Sequence, residues 1–239
     1  MEFAGIGLSS GVAQAVLLGG GFGLLHAFDA DHIATLGGLA VGNRSMTPSG
    51  YALRWAFGHA AALGVVSLAV LGLGVTGLIE WTSYAEFLVC LALLLIGGNA
   101  LRAAWRPHVA TAASPFALVH SRSDAHPHVH FLAPFHAHAR SGRTGVLLGV
   151  LHGGAGSAAV LALLPLAHFR SGVESALYLA CFSLGVAAGA LAFAKVFGAF
   201  AQRAGSAGER LSAAFQTTIG VLAIGSSAWL FLEIAHGGG

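Results

Sequence analysis

Two histidines and two aspartates fall within one short stretch, His26-Ala27-Phe28-Asp29-Ala30-Asp31-His32, inside an apolar run that extends over residues 11–41. Imidazole and carboxylate together suit Ni²⁺, Co²⁺, Zn²⁺ or Cu²⁺ better than Mg²⁺ or Ca²⁺, which favour oxygen alone. To bind, the imidazoles must be neutral and the carboxylates ionised, so binding should weaken in acid and release protons. An ionisable side chain at the centre of a membrane span costs about 2.5 kcal/mol or more, and such groups mark an ion or substrate path. A buried His/Asp hydrogen-bond network and a proton relay are the alternatives to metal.

His26 falls near the middle of its run. At about 100° per residue, Asp29 lies about 60° round the helix from His26, His32 about 60° further, and Asp31 about 140° away on another face. A straight helix can therefore present His26 with Asp29, or Asp29 with His32, to one ion. Presenting all four requires local unwinding, for which Gly19 to Gly23 upstream and Gly37-Gly38 downstream are the expected places.

Two further intramembrane histidines are candidate ligands, or groups that orient a ligand. His59 occurs in Trp55-Ala56-Phe57-Gly58-His59, and His152 in Leu151-His152-Gly153-Gly154. The glycines beside each allow close approach of another helix or a ligand. Asn99 is a weaker candidate, better suited to hydrogen bonding between helices.

The elements that must position these groups follow from composition. Only 8% of the 239 residues are charged and 56% are hydrophobic, against about 25% charged in a soluble domain. An all-α integral membrane protein is expected, with 35 glycines available for close helix packing. Spans of about 20 apolar residues are expected at residues 11–41, 51–75, 85–104, 144–168, 173–200 and 211–235. Nothing in this composition suggests a nucleic-acid partner; the bilayer is the expected one. The start Met1-Glu2-Phe3 has no basic region, so the first apolar run is expected to be retained. Cys90 and Cys181 lie inside apolar runs and are read as small buried hydrophobes, not a disulfide.

Ten of the eleven Lys and Arg residues fall on one side of this plan, with Arg170 alone on the other. The positive-inside rule then puts both termini outward and the 105–143 connection in the cytoplasm. Matches in the same order join the two halves: Leu25-His26 with Leu151-His152, Ser49-Gly50 with Ser171-Gly172, and Ile96-Gly97 with Ile224-Gly225. Three spans per half invert the second half relative to the first, a transporter plan with its site at the midplane. The expected organisation is a first three-helix repeat over 1–105, a His-rich loop over 106–143, and a second repeat over 144–239.

That loop holds His108, His120, His126, His128, His130, His136 and His138 among four prolines. Its alternating histidines resemble flexible metal-binding tracts, expected to be disordered without metal. Buffering, delivery and sensing of metal, or a merely pH-responsive loop, all fit it.

His26-Ala27-Phe28-Asp29-Ala30-Asp31-His32-Ile33 resembles the signature of the nickel/cobalt transporter family, and Phe57-Gly58-His59 looks like the Gly-His segment of that family's following helix. Residues 149–157, with His152-Gly153, are similar to a segment in short relatives of the urease-accessory type. The resemblance implies a multi-pass inner-membrane permease, not an enzyme, taking up Ni²⁺ or Co²⁺ as substrate. His26, Asp29, Asp31, His32, His59 and His152 would form its metal site, and a cytoplasmic metallochaperone or urease or hydrogenase maturation factors would be partners. Better-known nickel permeases resemble an eight-span design with acidic motifs in the second half, where this chain has Ala155-Gly156-Ser157-Ala158-Ala159.

Efflux through the same site is one alternative. An intramembrane zinc-dependent hydrolase with Asp31 as base is another, although no His-Glu-x-x-His is present. Thiol-electron transfer through Cys90 and Cys181 is disfavoured, because the repeat does not make them symmetry mates.

Overall fold

The computed structural model describes residues 10–42, 46–69, 78–105, 119–121, 127–129, 143–155, 165–166, 169, 171–206 and 208–236. Among these, the helices are α1 (Ser10–His26), α2 (Ala30–Gly42), α3 (Pro48–Ser67), α4 (Leu78–Trp105), α5 (Arg143–Gly154), α6 (Gly172–Ser206) and α7 (Glu209–Ala235). The expected all-helical membrane architecture holds at this level. One addition lies within the His-rich loop, where β1 (Val119–Ser121) and β2 (Pro127–Val129) pair antiparallel with His120 opposite His128. His108, His126, His130, His136 and His138 lie outside the described residues.

Among the described residues, three stretches are long and apolar enough to cross a membrane, Tyr84–Trp105, Gly172–Arg203 and Arg210–Ala235, and the bent pair Ser10–His26 with Ala30–Gly38 makes a fourth if it is one span. They match the third, fifth, sixth and first expected spans. The second appears as α3, 20 residues long, and its continuation over 70–77 lies outside the described residues. The fourth appears as α5, only 12 residues long, and most of 156–168 is likewise outside them.

Large apolar side chains point away from the protein, among them Leu17, Leu25, Phe57, Leu184, Val196 and Trp229, each more than two-thirds exposed. Inside, alanines, glycines and polar groups such as Thr35, His59, His152 and Ser227 lie among Trp55, Tyr51, Tyr178, Leu63 and Leu93. The apolar outer surface suits contact with lipid, and the small residues let helix backbones approach.

The packing is pairwise. α1 runs along α6, α3 along α5, and α4 along α7, while α2 rests on α7 and α6. A β-carbon on Gly19 or Gly23 would strike the backbone of Tyr178 or Phe182 on α6. One on Gly149 or Gly153 would strike the backbone of Trp55 or His59 on α3. Between α4 and α7, Gly97 and Gly220 approach each other's carbonyls. Ser227 Oγ ties the same two helices by donating to the Cys90 carbonyl at 2.9 Å. Cys90 and Cys181 are both free thiols, as expected.

α3 begins with a well-formed cap. Thr47 Oγ1 accepts the Gly50 N–H at 3.1 Å, and Pro48 occupies the first helical position, where its missing N–H costs nothing. This fixes the entry of the helix that carries Trp55 and His59.

Candidate metal site

The helix carrying the His/Asp stretch is broken within it. α1 closes on tight bonds, Phe28 N–H to the Leu25 carbonyl at 3.0 Å and Asp29 N–H to the His26 carbonyl at 3.1 Å. α2 restarts when Ile33 N–H donates to the Asp29 carbonyl at 3.0 Å. The two axes differ by 60°. The Asp31 carboxylate supports the new start by accepting the His32 N–H through Oδ1 at 2.9 Å. The unwinding expected at the glycines therefore occurs at Ala27 to Asp29 instead. Gly19 and Gly23 serve the contact with α6, Gly37 faces the Phe197 ring, and Gly38 meets Ile96.

The bend turns His26 at the end of α1 and His32 on α2 toward His59 on α3. His26, His32 and His59 each offer a nitrogen, and the three atoms lie within 4.8 Å of one another. Their ring centroids are 4.6 Å apart for His26 and His32, and 5.5 Å apart from each of these to His59. At the break Asp29, Asp31 and His32 form a second such group, sharing His32 with the first. Asp31 Oδ2 stands 3.8 Å from His32 Nε2 and 3.9 Å from His152 Nε2.

Hydrogen bonding sets which nitrogens are available. Asp29 Oδ2 lies 2.7 Å from His26 Nδ1, and the carboxylate accepts, so Nδ1 carries the hydrogen and Nε2 keeps the lone pair. His32 Nδ1 donates to the His26 carbonyl at 2.9 Å, which likewise leaves its Nε2 free to ligate. His26 Nε2 and both nitrogens of His59 are buried with no hydrogen-bond partner among the described residues. Buried polar atoms without partners are costly in a native interior and ask for an explanation. Nitrogens of three separate imidazoles within 4.8 Å of one another are an arrangement that could hold a metal ion. The carboxylate behind His26 is the usual outer support of a metal-binding histidine.

The gathered side chains differ in exposure. His32, His59 and His152 are each 1% exposed, whereas the side chains of Asp29 and Asp31 are 52% and 29% exposed. The acid thus lines the open edge of the cluster and the imidazoles its floor.

His152 sits beside this group, its ring 5.4 Å from that of His32, and its Nε2 meets the Thr35 hydroxyl at 3.1 Å. All six candidate residues are thereby brought to one region. Asn99 is half-buried on α4.

Two residues not foreseen from the sequence complete the surroundings. Thr35, fully buried, holds His152. Trp55, also fully buried, packs edge-on against His32 at 4.8 Å and lies 5.2 Å from His59 and 5.8 Å from His152. Its position one turn before His59 was the available signal. Thr35 follows His32 by three positions, which places it one turn further along the same side of α2.

No protein-family model matches this chain, and no solved structure matches it. Urease accessory protein UreH of Bacillus sp. (strain TB-90) is similar at a distant level, 26% identical over 185 residues that cover 76% of this chain and 75% of that protein.

Proposed function

We propose that this chain is a permease for a divalent transition metal, nickel or cobalt, taken up across the inner membrane with the ion bound near the bilayer midplane. The observation that carries this reading is the convergence of His26, His32 and His59 at the break of an apolar helix, with buried nitrogens on His26 and His59 that have no partner among the described residues. The similarity to a urease accessory protein and the resemblance of the His/Asp signature to nickel/cobalt transporters both support this reading.

In this reading the ion meets the carboxylates of Asp29 and Asp31 at the open edge and exchanges part of its hydration shell for His26 Nε2, His32 Nε2 and a nitrogen of His59. Asp31 and His152 complete the surroundings, and Asp29 holds the His26 ring in place. Passage to the other side requires the two halves of the chain to move against each other.

The two-repeat plan has support in the packing. Gly19 and Gly23 meet Tyr178 and Phe182 as Gly149 and Gly153 meet Trp55 and His59, so exchange of α1 with α5 and α3 with α6 reproduces the contacts. On this correspondence His59 matches Phe182, and His152 matches Phe22 rather than His26. The second half would then present an aromatic ring at Phe182 where the first presents His59, and a histidine at His152 where the first presents Phe22, so the two halves would contribute unequally to one site.

Cells expressing the wild type should accumulate more nickel than cells with expression-matched His26→Ala. Equal accumulation would sink the proposal. Reconstitution into liposomes of known orientation separates uptake from efflux.

A further inference from the structure

Thr35 on α2 and His152 on α5 are both fully buried, and their contact joins segments 117 residues apart in the chain. Thr35 Oγ1 lies 3.1 Å from His152 Nε2, while His152 Nδ1 lies 2.8 Å from the Leu148 carbonyl oxygen. A carbonyl can only accept, so Nδ1 carries the hydrogen, and the neutral ring keeps its lone pair at Nε2. The threonine hydroxyl donates to that lone pair. The one atom of His152 able to bind an ion is therefore held by a hydroxyl group, with Asp31 Oδ2 waiting 3.9 Å from the same nitrogen. A threonine in a helix has a second place for its hydrogen, the carbonyl one turn earlier, which here belongs to Asp31.

We infer that Thr35 is a positioning residue: it latches His152 in the metal-free protein and releases Nε2 to the ion as the site loads. The inference rests on the permease reading. Loading the site and breaking a bond between the two halves of the chain become one event. Because the hydroxyl and the ion compete for one lone pair, Thr35 lowers the affinity for metal. A packing role has no such sign. Valine keeps the shape of threonine and loses the hydroxyl, whereas serine keeps the hydroxyl and loses the methyl.

The test is Ni²⁺ titration by calorimetry on the purified full chain in detergent, comparing wild type, Thr35→Val, Thr35→Ser, His152→Ala and the Thr35→Val/His152→Ala pair. Thr35→Val should bind about tenfold more tightly, because its metal-free state has lost a buried hydrogen bond that the loaded state never had. Thr35→Ser should bind as the wild type does. The gain should vanish in the His152→Ala background, since the two residues act through one contact. Thr35→Ala supplies a second hydroxyl-free variant should valine fail to fold. Unchanged or weaker binding without the hydroxyl overturns the inference, as does a gain that survives removal of His152. Absence of nickel binding in the wild type overturns the permease reading and this inference with it, an outcome separate from the others.

Discussion

Asp29 Oδ2 lies 2.7 Å from His26 Nδ1, across the point where α1 stops and α2 begins, with the aspartate half-exposed and the histidine nearly buried. The carboxylate fixes both the orientation and the tautomer of the ring, which leaves Nε2 facing His32 and His59. Losing such an outer partner usually costs about 10- to 100-fold in metal affinity. Asp29→Asn should therefore weaken Ni²⁺ binding by about that factor, short of the loss in His26→Ala. Calorimetry on the detergent-solubilised protein measures both, and an Asp29→Asn variant that binds like the wild type removes Asp29 from the site.

The contact between α3 and α5 should control the site without supplying a ligand. A β-carbon on Gly153 falls against the backbone of His59, whereas one on the next residue, Gly154, meets only Ala85 Cβ at 3.9 Å. Overpacking of this kind costs about 1–3 kcal/mol when the backbone must shift. Gly153→Ala should lower the thermal midpoint in detergent and weaken nickel binding by moving His59, while Gly154→Ala should change neither. Equal midpoints for the two variants would show that the α3–α5 contact is looser than its geometry.

Much of this site could be read from residue types. Four ionisable groups in an apolar run and two glycine-flanked histidines were enough to name His26, Asp29, Asp31, His32, His59 and His152, and all six meet in one region. The place of the helix break was not legible. Glycines invite unwinding in a sequence, but Gly19, Gly23, Gly37 and Gly38 lie against neighbouring helices or side chains, and their lack of a β-carbon is used for approach. The break falls at Ala27 to Asp29, where the Asp29 carboxylate turns back to His26 instead of capping the new helix. A wheel drawn on an unbroken helix separates Asp31 from His26, and it is the 60° break that lets both lie in one region. Thr35 and Trp55 were passed over because one small hydroxyl and one indole in an apolar run read as packing until their neighbours are known.

Acid should compete with the ion. An imidazole must give up any added proton before it ligates, so each histidine in the site adds to the pH dependence of binding. With His26, His32 and His59 all contributing, the apparent affinity for Ni²⁺ should fall in acid, and binding there should release protons into a weakly buffered solution. His59→Ala should bind more weakly and with a shallower pH dependence than the wild type. A dependence of unchanged steepness would place His59 outside the bound ion's ligands.

Trp55 offers an optical test of where the ion sits. Its ring lies 4.8 Å from that of His32 and 5.2 Å from that of His59, close enough for a bound ion with a partly filled d shell to quench its emission. Of the four tryptophans, Trp105 and Trp229 are 78% and 70% exposed on outward faces and should keep theirs. Ni²⁺ or Co²⁺ should therefore quench only part of the fluorescence, saturating with the calorimetric binding curve. Zn²⁺ has a closed d shell and should bind with far less quenching. Trp55→Phe should abolish the quenched fraction while retaining nickel binding, since phenylalanine can still pack against His32. If the quenched fraction persists in Trp55→Phe, the ion lies nearer another tryptophan, and the His26, His32 and His59 cluster is not where nickel binds.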